Sequence, residues 1–178
     1  MNIEVLDQIP KTALDVFRLL PEGTLCEVID NILYMSPAPK YTNQRLVLLL
    51  AKKLSNHTEI FSPGEVFISP VDVYFKDLSS AVQPDLIYVS NENKHILHDD
   101  GYIYGAPDLV IEVLSIDRKR DLVIKKSLYE RAGVKEYFVV DPVTRKTQLF
   151  ALKSNSYKLV YDETGLFQSP MLQFQFSF

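Results

Sequence analysis

The chain has 178 residues, enough for one domain built around a single sizeable core. Hydrophobic residues make up 47% and charged residues 24%, the balance of a globular protein rather than a disordered one. A formal net charge of -4 excludes a protein whose whole surface grips nucleic acid, while leaving room for local basic patches.

The opening stretch, "MNIEVLDQIP", lacks the basic start and apolar run of a signal peptide, so none is expected. "TALDVFRLL" (12–20) predicts a short helix with Thr12 as N-cap, stopped by Pro21 and Gly23. "LCEVIDNILYMS" (25–36) is two apolar runs around Asp30-Asn31, a hairpin signal. Cys26, inside it, is the chain's one cysteine. An internal disulfide is therefore excluded, and the reducing cytoplasm is the natural compartment. Residues 41–57 predict a helix whose Leu46, Leu49, Leu50 and Leu54 share a face, with His57 as a solvated cation at its end. Its apolar run "LVLLLA" is far too short to cross a membrane. Strands are expected near 65–68, 71–75, 84–90, 108–114, 136–140, 146–152 and 157–161. Residues 91–105 read as a loop, 117–132 as a helix ended by Gly133, and 141–144 as a turn. Strands mixed with two main helices predict an α/β fold with a central sheet and one domain over 1–178.

Chemistry enters at "PDLVIEVLS" (107–115), a strand of buried type that carries Asp108 and Glu112. Alternation puts Asp108, Val110, Glu112 and Leu114 on one face and Leu109, Ile111 and Val113 on the other. A strand so apolar on both faces belongs in the middle of a sheet. Asp108, beside Pro107, reads as a strand-end carboxylate that sees water. Glu112 needs a partner, because an ionised carboxylate among apolar side chains is costly. The following helix offers one: Asp121, Leu122, Lys125, Leu128, Tyr129 and Ala132 fall on one side, and Lys125 faces the core. Asp85, in "QPDLIYVS", repeats the Pro-Asp-Leu sequence of Asp108, and Glu27 is a further carboxylate in an apolar run. One lysine does not neutralise Glu27, Asp85 and Glu112, so a hard divalent ion with oxygen ligands balances them better than a simple ion pair.

The order of Asp85, Glu112 and a core-facing lysine resembles the PD-(D/E)XK nuclease superfamily, most closely the Uma-type restriction endonucleases. The resemblance rests on "VQPDLIYVS", "GAPDLVIEVLS", the Asp121-Lys125-Tyr129 spacing, "AGVKEYFVVDP" and the weaker "CEVIDNILYMSPAP". It implies a restriction-endonuclease-like mixed central β-sheet flanked by helices. It further implies a Mg²⁺-dependent endonuclease that hydrolyses DNA phosphodiester bonds, with Mn²⁺ as a substitute ion, and that acts as a homodimer. By the same resemblance Asp85, Glu112 and the backbone carbonyl of Val113 would hold the metal. Lys125 would be the catalytic lysine, moved from its usual place two residues after the glutamate (Leu114 here) to the next helix. Glu27 would match the N-terminal acid that contacts water or a second metal. Two departures stand out: Asn43 occupies a position where the family often has histidine, and "LSI" replaces its "LSP" after the glutamate strand.

Other features have blander readings. "RKR" (118–120) hints at phosphate contacts but is the composition of a solvated charge run. "GYIYG" (101–105) could stack bases or simply pack a loop edge. "HILHDD" (95–100) lacks a further ligand at metal-site spacing, and Cys26 reads as a buried thiol. Two functional alternatives to an enzyme remain: a catalytically degenerate nucleic-acid-binding or regulatory module, and a structural protein in which Lys125 only pairs with Glu112.

Overall fold

The computed structural model describes residues 9–178; residues 1–8, where no signal peptide is expected, lie outside it. A short helix α1 (Ala13–Arg18) comes first, followed by the hairpin β1 (Cys26–Ile29) and β2 (Ile32–Met35) and the long helix α2 (Tyr41–Phe61). Strands β3 (Gly64–Ile68), β4 (Val73–Phe75), β5 (Ser80–Val82), β6 (Leu86–Ser90), β7 (Ile103–Tyr104) and β8 (Leu109–Val113) come next. After a wide turn, helix α3 (Lys126–Ala132) leads into β9 (Glu136–Val140), β10 (Lys146–Lys153), β11 (Ser156–Thr164), β12 (Leu166–Ser169) and β13 (Phe174–Ser177).

Local sequence accounts for several boundaries. The Thr12 hydroxyl accepts from the Asp15 N–H while the Asp15 carboxylate accepts from the Thr12 N–H, a reciprocal cap that starts α1. Asp30 and Asn31 both take positive φ, as the two-residue turn of a tight hairpin requires. Gly133, at φ 91°, closes α3 in the left-handed conformation that glycine adopts without steric cost.

Six strands form a mixed sheet in the order β11-β10-β9-β8-β6-β3. β8 lies inside it, antiparallel to β6 and parallel to β9, where its unbroken apolar character is satisfied. Leu109, Ile111 and Val113 face α2, packing with Leu46, Leu50 and Leu54. Val110 and Leu114 face the other way, toward Leu128 and Tyr129. There a second sheet, ordered β2-β1-β5-β4-β7, closes over the same core through Ile29, Val73, Phe75 and Val82. Each such fully buried side chain contributes about 1.5–3 kcal/mol of burial. The site grows out of the seam between the two sheets.

The structure departs from the sequence reading in informative ways. α2 runs four residues past the expected end at 57, to Phe61, and Pro63 follows it. His57 is consequently inside the helix: its Nε2 meets the Leu172 carbonyl at 2.9 Å and its ring stacks on Phe174 at 4.1 Å. It is packed, not solvated. The loop expected over 91–105, with room for a short turn, has that turn as a 3₁₀ segment at Asn91–Ile96 but also holds the short strand β7. β5, β12 and β13 were not expected, because three or four residues give too little alternation to register. Among the described residues no helix is long and apolar enough to cross a membrane.

Candidate active site

The helix expected over 117–132 is not uniform. Residues Arg120–Lys125 form a π-helical turn before α3. With more than four residues per turn, this stretch aligns positions four apart, so Asp121 and Lys125 are both buried on the inner side. The turn sits directly above the end of β8 where Glu112 projects.

There the Lys125 Nζ lies 2.9 Å from Glu112 Oε1 and 2.8 Å from Glu27 Oε1, bridging β8 and β1. The three side chains are almost fully buried, at 5% exposure or less. Glu112 Oε1 also accepts from the Tyr129 hydroxyl at 2.7 Å, and Glu27 Oε1 accepts from the Gln83 N–H at 3.0 Å. Asp85 precedes β6, and its Oδ2 accepts from the Val113 N–H at 2.7 Å, which ties it to the end of β8. Asp121 adds a fourth carboxylate; its Oδ2 accepts from the Ser115 N–H at 3.3 Å.

The electrostatics follow from this crowding. Burial raises Asp85 to about 6, assisted by the negative charges of Asp121 and Glu27 and opposed by Lys125 and the Val113 N–H. Burial likewise raises Glu112 to about 8; Lys125 opposes this, while Asp85, Asp121 and Glu27 add to it. Asp121 is raised by burial too. For Lys125, burial disfavours the charge, but Glu112, Glu27 and Asp121 together more than offset it and hold the ammonium firmly protonated. Four carboxylates thus share one ammonium, and the site carries more negative potential than its own cation can balance.

A divalent ion fits part of this arrangement. Among the described residues, no group of three or more His, Cys, Asp or Glu side chains is disposed to hold a metal by itself. Asp85 and Glu112, however, each use only one carboxylate oxygen in the hydrogen bonds described above. Val113 turns its N–H toward Asp85, and in an extended strand the carbonyl of the same residue points to the same side. Two carboxylates, one carbonyl and water suit Mg²⁺, which keeps several waters and needs no cage made wholly of protein.

The residues singled out from sequence fall into two groups. Glu27, Asp85, Glu112, Lys125 and Val113 come together. Asp108 does not: it stands at the other end of β8, is 1% exposed rather than open to water, and accepts from the Ser90 N–H at 2.8 Å and Lys135 Nζ at 2.6 Å. Asn43, in the first turn of α2, donates to the Leu114 carbonyl at 3.2 Å and so braces the segment after Glu112. Arg118 pairs with the buried Asp141 and Arg120 is half-buried, so the run expected to be solvated is partly packed. Cys26 is a buried thiol, raised by burial and by Glu27. Three contributors had no assigned role: Asp121, Tyr129 and Gln83. Tyr129 stands four residues after Lys125, a spacing that puts both on one helical face, so its part was accessible in principle. Gln83 acts through its backbone, which leaves no trace in side-chain identity.

Mixed sheets flanked by helices, with an acid cluster and one lysine at a strand end, define a restriction-endonuclease-like α/β fold. A crystal structure from Anabaena variabilis ATCC 29413, titled "a putative nuclease belonging to DUF820", matches this fold with a TM-score of 0.73. The two chains are 18% identical, with 94% of this chain and 95% of that chain covered. No curated protein matches the chain. The sequence model of the family described as "Uma2: Putative restriction endonuclease" matches residues 14–178, and the chain belongs to that family.

Proposed function

We propose that the protein is a Mg²⁺-dependent endodeoxyribonuclease whose site is Asp85, Glu112, Lys125 and Glu27. The observation that carries this reading is the imbalance just described: four carboxylates around a single ammonium, two of them raised to about 6 and 8. Such displaced values mark sites built for chemistry more often than sites built for stability. Asp85, Glu112 and the Val113 carbonyl would hold the ion, which would acidify a water and offset charge on the phosphate. Lys125, held between Glu27 and Glu112, is positioned to orient the attacking water and to stabilise the negative charge that grows on the phosphoryl oxygens. Tyr129 and Lys125 both donate to Glu112 Oε1, which leaves Oε2 outside those two bonds. Water oxygen would bond to phosphorus as one P–O ester bond breaks; Glu27 would accept the attacking water's proton, and the departing oxygen would take up a proton from solvent.

A second reading is a catalytically degenerate nucleic-acid-binding or regulatory module. It is favoured by the direct contact of Lys125 with both glutamates, since a lysine saturated by carboxylates can serve as structural glue. Calorimetric titration with Mn²⁺ separates the two without knowledge of the substrate. The nuclease reading expects saturable binding by the wild type and its loss in Asp85→Asn and in Glu112→Gln. A folded wild type that takes up no Mn²⁺, alone or with DNA, would leave only the module.

A further inference from the structure

At the end of α1, along one end of the second sheet, lies a cavity of about 500 Å³. Its size falls within the roughly 300–1,000 Å³ of small-molecule pockets. Its walls include Arg18, Asp72, Tyr74, Gln83, Tyr102 and Tyr104. None of these has a part in the site described above except Gln83, and Gln83 works on both sides. Its N–H donates to Glu27 Oε1, while its side-chain amide turns into the cavity and donates to Asp72 Oδ1 at 2.8 Å and the Thr24 carbonyl at 3.2 Å. Thr24 and Asp72 lie just before β1 and β4, and Gln83 just after the antiparallel β5. All three therefore mark one end of the sheet, the end that carries Glu27, and Asp85 follows Gln83 by two residues.

The lining is chemically specific. Tyr104 is fully engaged: it stacks on Tyr74 at 5.0 Å, its hydroxyl donates to Asp100, and Lys76 Nζ sits 4.5 Å from its ring centre. Tyr102 meets Tyr74 at 5.8 Å and 83°, is only half-buried, and borders the cavity. Asp72 accepts from the Gln83 amide and from the Tyr74 hydroxyl, and a carboxylate has lone pairs left for a further donor. Arg18 contributes a half-exposed guanidinium 3.9 Å from Asp15, and would meet the phosphate against one further acid of the lining, Glu22. A planar, partly apolar ligand with amine hydrogens on its edge and phosphate attached matches these groups.

We propose that this cavity takes an unstacked nucleobase of the substrate strand, beside the phosphate to be cut, with Tyr102 stacking on its face and Asp72 accepting from its exocyclic amine. The inference rests on the nuclease reading. It also accounts for how a chain of net charge -4 holds nucleic acid: phosphate attraction alone is weak in such a protein, and base stacking supplies affinity independently of net charge.

The test uses the full-length protein in chelator, so that nothing is cut. Single-stranded oligodeoxynucleotides carry 2-aminopurine, or an abasic residue in its place, at each position in turn. At one position the wild type should quench the 2-aminopurine fluorescence and bind about tenfold more tightly than the abasic strand, the scale of one base–aromatic stack. Tyr102→Ala should erase that difference and Tyr102→Phe should keep it, while binding of the abasic strand stays the same in all three. Equal binding of base-containing and abasic strands by the wild type would overturn the base pocket and leave the nuclease reading standing. So would 2-aminopurine mononucleotide binding as tightly as the oligonucleotide. If only the corresponding duplexes bind, the pocket falls and the nuclease reading stands; if neither single strands nor duplexes bind in chelator or with Ca²⁺ replacing it, both fall.

Discussion

Pro84-Asp85-Leu86 and Pro107-Asp108-Leu109 share one local sequence, yet their aspartates have opposite fates. Both triplets open a strand, and the two strands are antiparallel neighbours, with Leu86 opposite Ile111 and Tyr88 opposite Leu109. The aspartates therefore stand at opposite ends of the sheet. Asp85 meets the acid cluster and accepts one backbone hydrogen bond; burial and its neighbours raise it to about 6. Asp108 is the less exposed of the two, yet Lys135 and Ser90 overcome the cost of burial and leave it below its ordinary value. A carboxylate's burial does not tell its role. What decides is whether the protein itself supplies enough donors, or leaves the deficit for something else to fill.

The largest effect that would sharpen this contrast comes from Lys125→Met, which removes the cation shared by Glu27 and Glu112. Breaking a buried pair costs about 3–5 kcal/mol, less whatever Glu112 recovers by taking up a proton. If the proposed nuclease reading holds, cleavage of DNA should fall about 10²–10³-fold, the usual loss when one charge-stabilising group is removed. Denaturant unfolding beside a cleavage assay checks both.

Next comes the pH dependence of the Asp85 end. Asp85 and Glu112 are raised when folded, to about 6 and about 8, so the folded state holds extra protons. Their contribution to stability is fully present below the unfolded values near pH 4 and is lost as pH rises through 6 and then 8. Asp108 is lowered, so its contribution is present above about pH 4 and is lost only in acid as pH falls through its folded value. Asp85→Asn should therefore gain roughly 1–3 kcal/mol at pH 7–8 and flatten the decline between pH 5 and 7, while losing Mn²⁺ binding. In the wild type, added Mn²⁺ should stabilise more at pH 8 than at pH 6, because the ion competes with those protons. A decline as steep in Asp85→Asn as in the wild type would assign the pH effect elsewhere.

Asp108→Asn is the matched opposite. It should lose about 1–3 kcal/mol, since the Ser90 N–H and Lys135 lose a charged acceptor, with the Mn²⁺ titration unchanged. An altered Mn²⁺ titration would break the distinction between the two ends. The smallest effect belongs to Lys135→Met. Its side chain is 61% exposed, so its pairing with Asp108 should contribute under about 1 kcal/mol and fade in high salt.

Much of this molecule was legible in the sequence. Alternation in "DLVIEVL" placed β8 inside the sheet and put Glu112 on the face opposite Leu109, Ile111 and Val113, because strand geometry admits only two faces. Helical spacing then turned Lys125 toward Glu112, and the two meet at 2.9 Å. Those are short-range consequences of fixed periods, and they survive whatever surrounds them. Tertiary structure alone decided the rest. That Glu27 reaches the same ammonium depends on how the second sheet folds over the first, across nearly a hundred residues of chain. That Asp85 joins the site and Asp108 does not depends on which groups the antiparallel pairing brings to each end of two adjacent strands, and the identical triplets carry no record of it. A residue's local sequence sets the direction in which its side chain points; the electrostatic partners that give the charge its role come from segments far away in the chain.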